Sequence, residues 1–261
     1  MIEIKTYKNL QRHLQAFKEK KLNLLTIVGK GGIGKTFISE DTLIEEAPLT
    51  FTGHVTPLSM YKELYERNRE EKDFLVIFDD VDSLLLNKTN VALLKQLCDT
   101  REIKTLKYSS SSPSLDVPKE FETKCKILML VNELTHEDKN ISALLTRSHL
   151  VNFIPNDLEI LKNIKAFGED NEIIKFIEIY AAFSNKLNLR VYKRAVELKD
   201  SKLDWQRSIV NDLQVDEKLL EMYKLLKKYK TDKEREKHFS ESRATYYRCK
   251  KKLLSKNPTL I

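Results

Sequence analysis

Leu24-Leu25-Thr26-Ile27-Val28 runs directly into Gly29-Lys30-Gly31-Gly32-Ile33-Gly34-Lys35-Thr36, and no other stretch restricts the fold of this chain as tightly. An unbroken apolar run of this length reads as a strand buried on both faces, as in a parallel sheet. Residues 35–46 read as a helix, stopped by Pro48. The octapeptide fits GxxxxGK[ST] without a mismatch, with the strand before it and the helix after it that the pattern needs. Its glycines let successive backbone N–H groups turn inward around an oxyanion, and the helix N-terminus adds its dipole. Gly29, Lys30, Gly31, Gly32, Ile33, Gly34, Lys35 and Thr36 are therefore the expected cradle for nucleotide phosphates. Lys35 is expected to reach the outer phosphates and Thr36 to hold Mg²⁺.

Tyr7, Leu10, Leu14 and Phe17 recur at helical spacing within 5–20. Short apolar runs at 49–52, 74–78, 126–131 and 150–153 read as further strands, with helices at 57–69, 89–99 and 141–145; residues 103–108 alternate only weakly. Strands alternating with helices predict an α/β fold, a three-layer αβα core with a mainly parallel sheet over 1–155. Beyond Pro155 the pattern is helical, at 157–167, 171–185, 189–198 and 203–212. An all-α domain is expected over 156–212 and a small helical one over 213–261.

Charge sets the last segment apart. The chain has 46 lysines and arginines and 39 acids; residues 215–261 hold 14 and 7 of them, so the whole excess of +7 lies there. A neutral body with a basic end points to nucleic acid. No apolar run reaches the ~20 residues that span a bilayer, and the first residues do not read as a secretory leader. Cys98, Cys125 and Cys249 are scattered, without metal-ligand or CxxC spacing, and read as reduced thiols. The expectation is a cytoplasmic protein with no membrane partner.

The apolar run at 74–78 ends in Asp79-Asp80. A carboxylate at such a strand end, after a phosphate loop, positions Mg²⁺, and this is Asp79; its neighbour Asp80 is placed to orient or deprotonate an attacking water. The succession of phosphate loop, FLVIFDD, KILMLVN and SALLTRSHLVNF, over about residues 20–210, resembles the AAA+ ATPases. That resemblance implies ATP and Mg²⁺ as ligands and a P-loop NTPase core followed by a helical lid. It implies a homo-oligomer promoted by ATP. Asn132 then matches the sensor 1 residue, and Arg147 the arginine finger that completes a neighbouring subunit's site. Arg190 matches sensor 2, with Arg194 in reserve. The family's usual Asp-Glu pair is Asp79-Asp80 here, which leaves the rate of hydrolysis open. Lys30 also fits the signature lysine of the chromosome-partition ATPases, dimers that bind DNA without sequence preference. The loop is similar as well to that of the signalling STAND ATPases. Those carry an arginine after the sensor strand, where this chain has Asn132-Glu133-Leu134.

Leu219, Leu220, Met222, Tyr223 and Leu226 make 216–229 amphipathic. Thr231-Asp232-Lys233-Glu234 is a capping box that opens a second helix, and Ser240 is placed to cap a third over 242–254. Three short helices of this kind look like a helix-turn-helix. Arg243, Thr245, Tyr246, Arg248, Lys250 and Lys251 are its expected DNA contacts. Residues 103–118 lie where several DNA-acting AAA+ clades insert a hairpin, which implies that Lys104, Lys107 and Tyr108 are exposed there to follow a DNA backbone and stack on a base; a disordered surface loop fits the segment equally. The layout is similar to small ATPases of phages, plasmids and transposons. It implies an ATPase acting on DNA in replication initiation, helicase loading or transposition target selection, with a helicase, initiator or transposase as partner. An ATP-gated DNA-binding regulator with negligible turnover fits the same segments, as does a protein-remodelling ATPase whose basic tail grips a protein.

Overall fold

Every residue of β2 (Leu24–Val28) is buried, as a strand covered on both faces requires. The computed structural model describes residues 1–80, 88–109, 116–133, 139–184 and 186–256, and for 139–141 and 256 the backbone alone. Its first compact unit, Met1–Pro155, is built on a six-stranded sheet. The strands are β1 (Ile2–Ile4), β2, β3 (Leu49–Thr52), β4 (Leu75–Asp79), β7 (Lys126–Val131) and β8 (His149–Phe153), in the spatial order β1-β8-β2-β7-β4-β3. All neighbours pair in parallel. β5 (Lys104–Lys107) and β6 (Glu120–Thr123) make a separate antiparallel hairpin.

Parallel neighbours need crossover connections. The helices of this unit are α1 (Tyr7–Lys18), α2 (Lys35–Leu43), α3 (Pro57–Glu70), α4 (Lys88–Leu97) and α5 (Lys139–Leu145). α1 packs on α2, while α3 and α5 each pack on α4. Leu24, Val76, Phe78, Ile127 and Met129 share one core cluster with Met60, Tyr61 and Leu64 of α3 and Val91, Leu94 and Leu97 of α4. Leu25, Ile27, Leu75, Ile77, Leu128 and Leu130 alternate with them and so point to the opposite face; they are buried too. The result is the expected three-layer αβα core.

Two strands lie outside the sequence reading. β1 is three residues at the sheet edge, with only Ile4 buried, too short to carry a period. β6 buries Phe121 and Thr123 in a four-residue run. The hairpin also corrects the expectation for 103–118. Lys104 is fully buried, and its Nζ donates to Cys125 O at 2.5 Å. Tyr108 stacks on Tyr61 with centroids 5.2 Å apart. Lys107 alone is exposed, paired with Glu120 at 3.0 Å. A two-stranded ribbon does not hold itself together in water; Leu106 and Phe121 lean it on the core, which draws Lys104 and Tyr108 inward. Residues 110–115 of that segment lie outside the described residues.

Burial holds the Lys104 amine below the ordinary lysine range. The unfolded chain then binds the extra proton over the interval up to about pH 10.4, so this group's contribution to stability rises with pH there. Burial pushes the neighbouring Cys98 thiol up to about 12, and a raised thiol acts oppositely, losing stability above about pH 8.5. The difference between wild type and Lys104→Met reads the lysine together with its coupling to the Cys98 and Cys125 thiols. Wild type is expected to gain melting temperature relative to the variant as pH rises towards about 10.4; parallel profiles would show that folding does not lower the affinity of this amine for its proton.

The second unit begins at Asn156. It contains α6 (Asp157–Phe167), α7 (Asn171–Ala181), α8 (Leu189–Asp200), α9 (Trp205–Leu213), α10 (Glu217–Lys228), α11 (Asp232–His238) and α12 (Arg243–Lys256). Asn156, Asp170, Asn188, Asp204, Asp216 and Thr231 each accept a backbone N–H at the start of the helix that follows, a cap worth about 1 kcal/mol apiece. α7 ends at Ala181, and Asn185, at the end of the expected helix, lies outside the described residues. Phe183 sits in the core of the last three helices with Leu219, Met222, Tyr246 and Leu253, and Asp216 N donates to Phe183 O at 2.9 Å. The expected border at 212/213 is thus a change of charge and not a break in packing. Among the described residues no helix is long and apolar enough to cross a membrane.

Candidate functional site

The loop after β2 turns through Gly32 and Gly34, whose φ angles of +81° and +87° lie where side chains are disfavoured. Gly34 starts α2 without a side-chain cap, so the first N–H groups of that helix face the loop. Its opening is held from three sides. Gly29 N donates to Val131 O at 3.1 Å, at the end of β7. Phe153 O of β8 lies 2.6 Å from where a Gly29 Cβ would stand. Tyr7 of α1 donates its hydroxyl to Ile33 O at 3.0 Å, with its ring edge-on to Phe153 at 5.2 Å.

Lys35 is nearly buried, at 6% exposure. Its Nζ donates to Gly29 O at 2.6 Å, to Lys30 O at 3.1 Å and to Asn132 Oδ1 at 3.1 Å. Asn132 in turn donates through Nδ2 to Asp80 Oδ1 at 2.6 Å. Thr36 Oγ1 donates to Asp79 Oδ2 at 2.8 Å. The order β2-β7-β4 produces this. The strand that ends just before Asn132 lies between the one that leads into the loop and the one that ends in Asp79, so Lys35, Asn132 and Asp80 form one chain of hydrogen bonds. Asp80 has φ of +52°, a left-handed conformation that aspartate tolerates better than most residues. Lys30 is exposed.

The residues fit a magnesium nucleotide. An ammonium among loop carbonyls can exchange them for phosphate oxygens. The Thr36 hydroxyl and Asp79 carboxylate supply the hard oxygen donors that Mg²⁺ takes. Tyr7 is the residue of this site that the sequence reading missed: its helical spacing marked it as an inward apolar position, and nothing local signals a hydroxyl aimed 26 residues ahead.

Arg147 stands apart from this network. It is exposed after α5, and its Nη1 donates to Lys95 O at 3.2 Å, near the end of α4. Arg190 lies in the second unit, exposed on the first turn of α8. Arg194 is paired with Asp212 at 3.0 Å. Of the segment contrasted with the STAND pattern, Leu134 lies outside the described residues.

The expected DNA contacts on α12 divide. Arg243, Arg248 and Lys251 are exposed. Thr245 and Tyr246 are buried, which corrects their placement on the outer face. The Tyr246 hydroxyl donates to Asp232 Oδ1 at 2.8 Å, and burial, with that carboxylate, pushes its pKa up to about 12. Lys250 donates to both oxygens of Asp232, at 2.7 and 2.6 Å, and chiefly through this the Asp232 carboxyl is held down to about 2. Lys250 therefore ties α12 to α11. The cap differs as well. Ser242 Oγ accepts from Thr245 N at 3.3 Å, while Ser240 bonds Glu221 of α10 through N and Oγ, at 2.8 and 2.6 Å.

No family model matches the chain, and no curated protein matches it. Among solved structures it is similar to the RuvB Holliday junction branch migration motor of Thermotoga maritima, at 14% identity and TM-score 0.47, over 84% of this chain and 75% of that one. It is similar to a chain of the HORMA:CdnC:Trip13 complex of E. coli MS115-1, at 12% identity and TM-score 0.44, over 79% and 86%. It is also similar to C. elegans PCH-2, at 18% identity and TM-score 0.45, over 79% and 66%.

Proposed function

We propose that the chain is an AAA+ ATPase that binds ATP–Mg²⁺ at 29–36, hydrolyses it, assembles as a homo-oligomer and acts on DNA through its basic C-terminal helices. The observation that carries this reading is the chain Lys35–Asn132–Asp80 beside the pair Thr36–Asp79. Thr36 and Asp79 would hold Mg²⁺, and the ion would supply charge neutralisation at the outer phosphate oxygens. Lys35 exchanges its carbonyl partners for those oxygens and holds them in the loop. Asp80 orients the attacking water and accepts its proton. Asn132 touches both Lys35 and Asp80, so it couples occupancy of the loop to the position of the carboxylate. Arg147, exposed and bonded to a carbonyl rather than an acid, is free to reach a neighbouring copy.

A second reading has its own support. The Asp80 oxygen that accepts from Asn132 is already engaged and less available to a water, and the side chain is one methylene shorter than the family's glutamate. Both favour slow turnover, as in an ATP-gated DNA-binding regulator. Electron microscopy with ATP, a slowly hydrolysed analogue and duplex DNA, each omitted in turn, separates the possibilities. Rings or helical filaments that need nucleotide are expected, and monomers or simple dimers under every condition would sink the proposal. Arg147→Ala is expected to bind ATP as wild type does and to lose about 10³-fold in turnover.

A further inference from the structure

The outer face of α12 carries Arg243, Ala244, Tyr247, Arg248 and Lys251, all exposed. One acid reaches into this basic surface. Glu236 of α11 accepts from the Tyr247 hydroxyl at 2.5 Å through Oε1, and its Oε2 lies 3.3 Å from Arg243 Nε. The Arg243 guanidinium also lies over the Tyr247 ring, 5.8 Å from its centroid. Both carboxylate oxygens are engaged, and the Glu236 side chain is 21% exposed against 77% for Arg243. The pairing differs from the other acid–base contacts of the helix. Lys250 and Lys252 are drawn back onto Asp232 and Asp216, whereas the Glu236 carboxylate only lies beside Arg243 Nε and leaves the Arg243 side chain largely exposed.

An acid in a surface that meets phosphates weakens general DNA affinity. Its benefit is orientation: an acid beside Nε and a ring beneath the guanidinium narrow the directions in which its terminal nitrogens point. A fork so directed matches the two acceptors that guanine shows in the major groove, O6 and N7. Arg243 is on the first turn of its helix, where side chains of a recognition helix meet base edges. We propose that Glu236 and Tyr247 are positioning residues that aim Arg243 at a guanine of duplex DNA, while Arg248 and Lys251 contact phosphates. This rests on the DNA reading above and adds sequence preference to it.

The test uses the full chain and a preferred duplex selected from a randomised library. Affinity is measured by fluorescence anisotropy for that duplex, for the same duplex with its key guanine exchanged, and for an unrelated one. Wild type is expected to prefer the first over the second by roughly 5- to 150-fold, the range of one bidentate contact. Glu236→Gln keeps the shape and is expected to lose most of that ratio while binding the unrelated duplex as tightly or more tightly. Arg243→Lys keeps the charge and is expected to lose the ratio too. Arg248→Ala is expected to weaken all three duplexes alike and to lower the salt slope by about 1. A Glu236→Gln chain that folds and keeps the wild-type ratio would overturn the positioning role and leave DNA binding intact. Loss of the guanine preference in Arg248→Ala but not in Arg243→Lys would overturn the assignment of the reading side chain. Wild type that binds no duplex would remove the DNA reading itself.

Discussion

Lys35→Met is expected to fold and to lose ATP turnover by about 10³-fold or more, since removing a single preorganised donor from a developing anion already costs about 10²–10³ and this donor carries a full charge. Methionine has nearly the length and volume of lysine, so the nearly buried position stays filled. Three acceptors lose their donor: Gly29 O, Lys30 O and Asn132 Oδ1. The first of these contacts is buried and the other two are partly buried, so the loss of stability is expected to be about 1–3 kcal/mol. Phosphate release reads the turnover. Thermal unfolding with ATP–Mg²⁺ reads the binding: at 100 times Kd a ligand stabilises by about 2.7 kcal/mol, and Lys35→Met is expected to show none of this. A variant with wild-type turnover would mean that the chemistry lies elsewhere.

How much of this was legible in the sequence depends on how local each cause is. The bounds of β2, β3 and β7 follow from unbroken apolar or β-branched runs, and the run alone locates each strand. The roles of Lys35, Thr36 and Asp79 follow from a pattern of spacing, and the Thr36–Asp79 bond joins two of them. Asn132 came only through the AAA+ resemblance. Its contact with Lys35 spans 97 residues and depends on β7 lying between β2 and β4, a spatial order that no local period encodes. α12 shows the opposite failure. Tyr246 has a polar end and sits among cations, so it resembles a surface residue. Its ring is core, and its hydroxyl, with Lys250, converges on one carboxylate of the preceding helix. Two lysines of α12 satisfied by acids 18 and 36 residues earlier blur the amphipathic pattern that would have shown which face is buried. Lys104 was misread for the same reason, since a lysine donating to a backbone carbonyl from a core position has no signature in one sequence.

Gly29→Ala is expected to act through packing where Lys35→Met acts through charge. The added methyl would lie 2.6 Å from Phe153 O and 2.9 Å from Ile33 Cδ1, both well inside contact distance. Ile33 Cδ1 is the end of a side chain and can turn aside, but Phe153 O is backbone and cannot easily withdraw. Phe153 pairs with Ile4 of β1 and carries the edge of the Tyr7 ring. Moving Gly29 the other way strains its bond to Val131 O. Overpacking of this kind costs about 1–3 kcal/mol, and the displaced backbone is the first residue of the phosphate loop, so ATP affinity is expected to fall with stability. Gly31→Ala is the control within the same loop: its nearest neighbour would be Asn132 Oδ1 at 3.8 Å, an ordinary contact, and its stability should stay within about 0.5 kcal/mol of wild type, as for a substitution without a packing conflict. Urea unfolding and nucleotide titration of the two variants test this directly. A Gly29→Ala chain as stable as Gly31→Ala would mean that β8 yields at Phe153, and that the loop is held by Tyr7 and β7 without it.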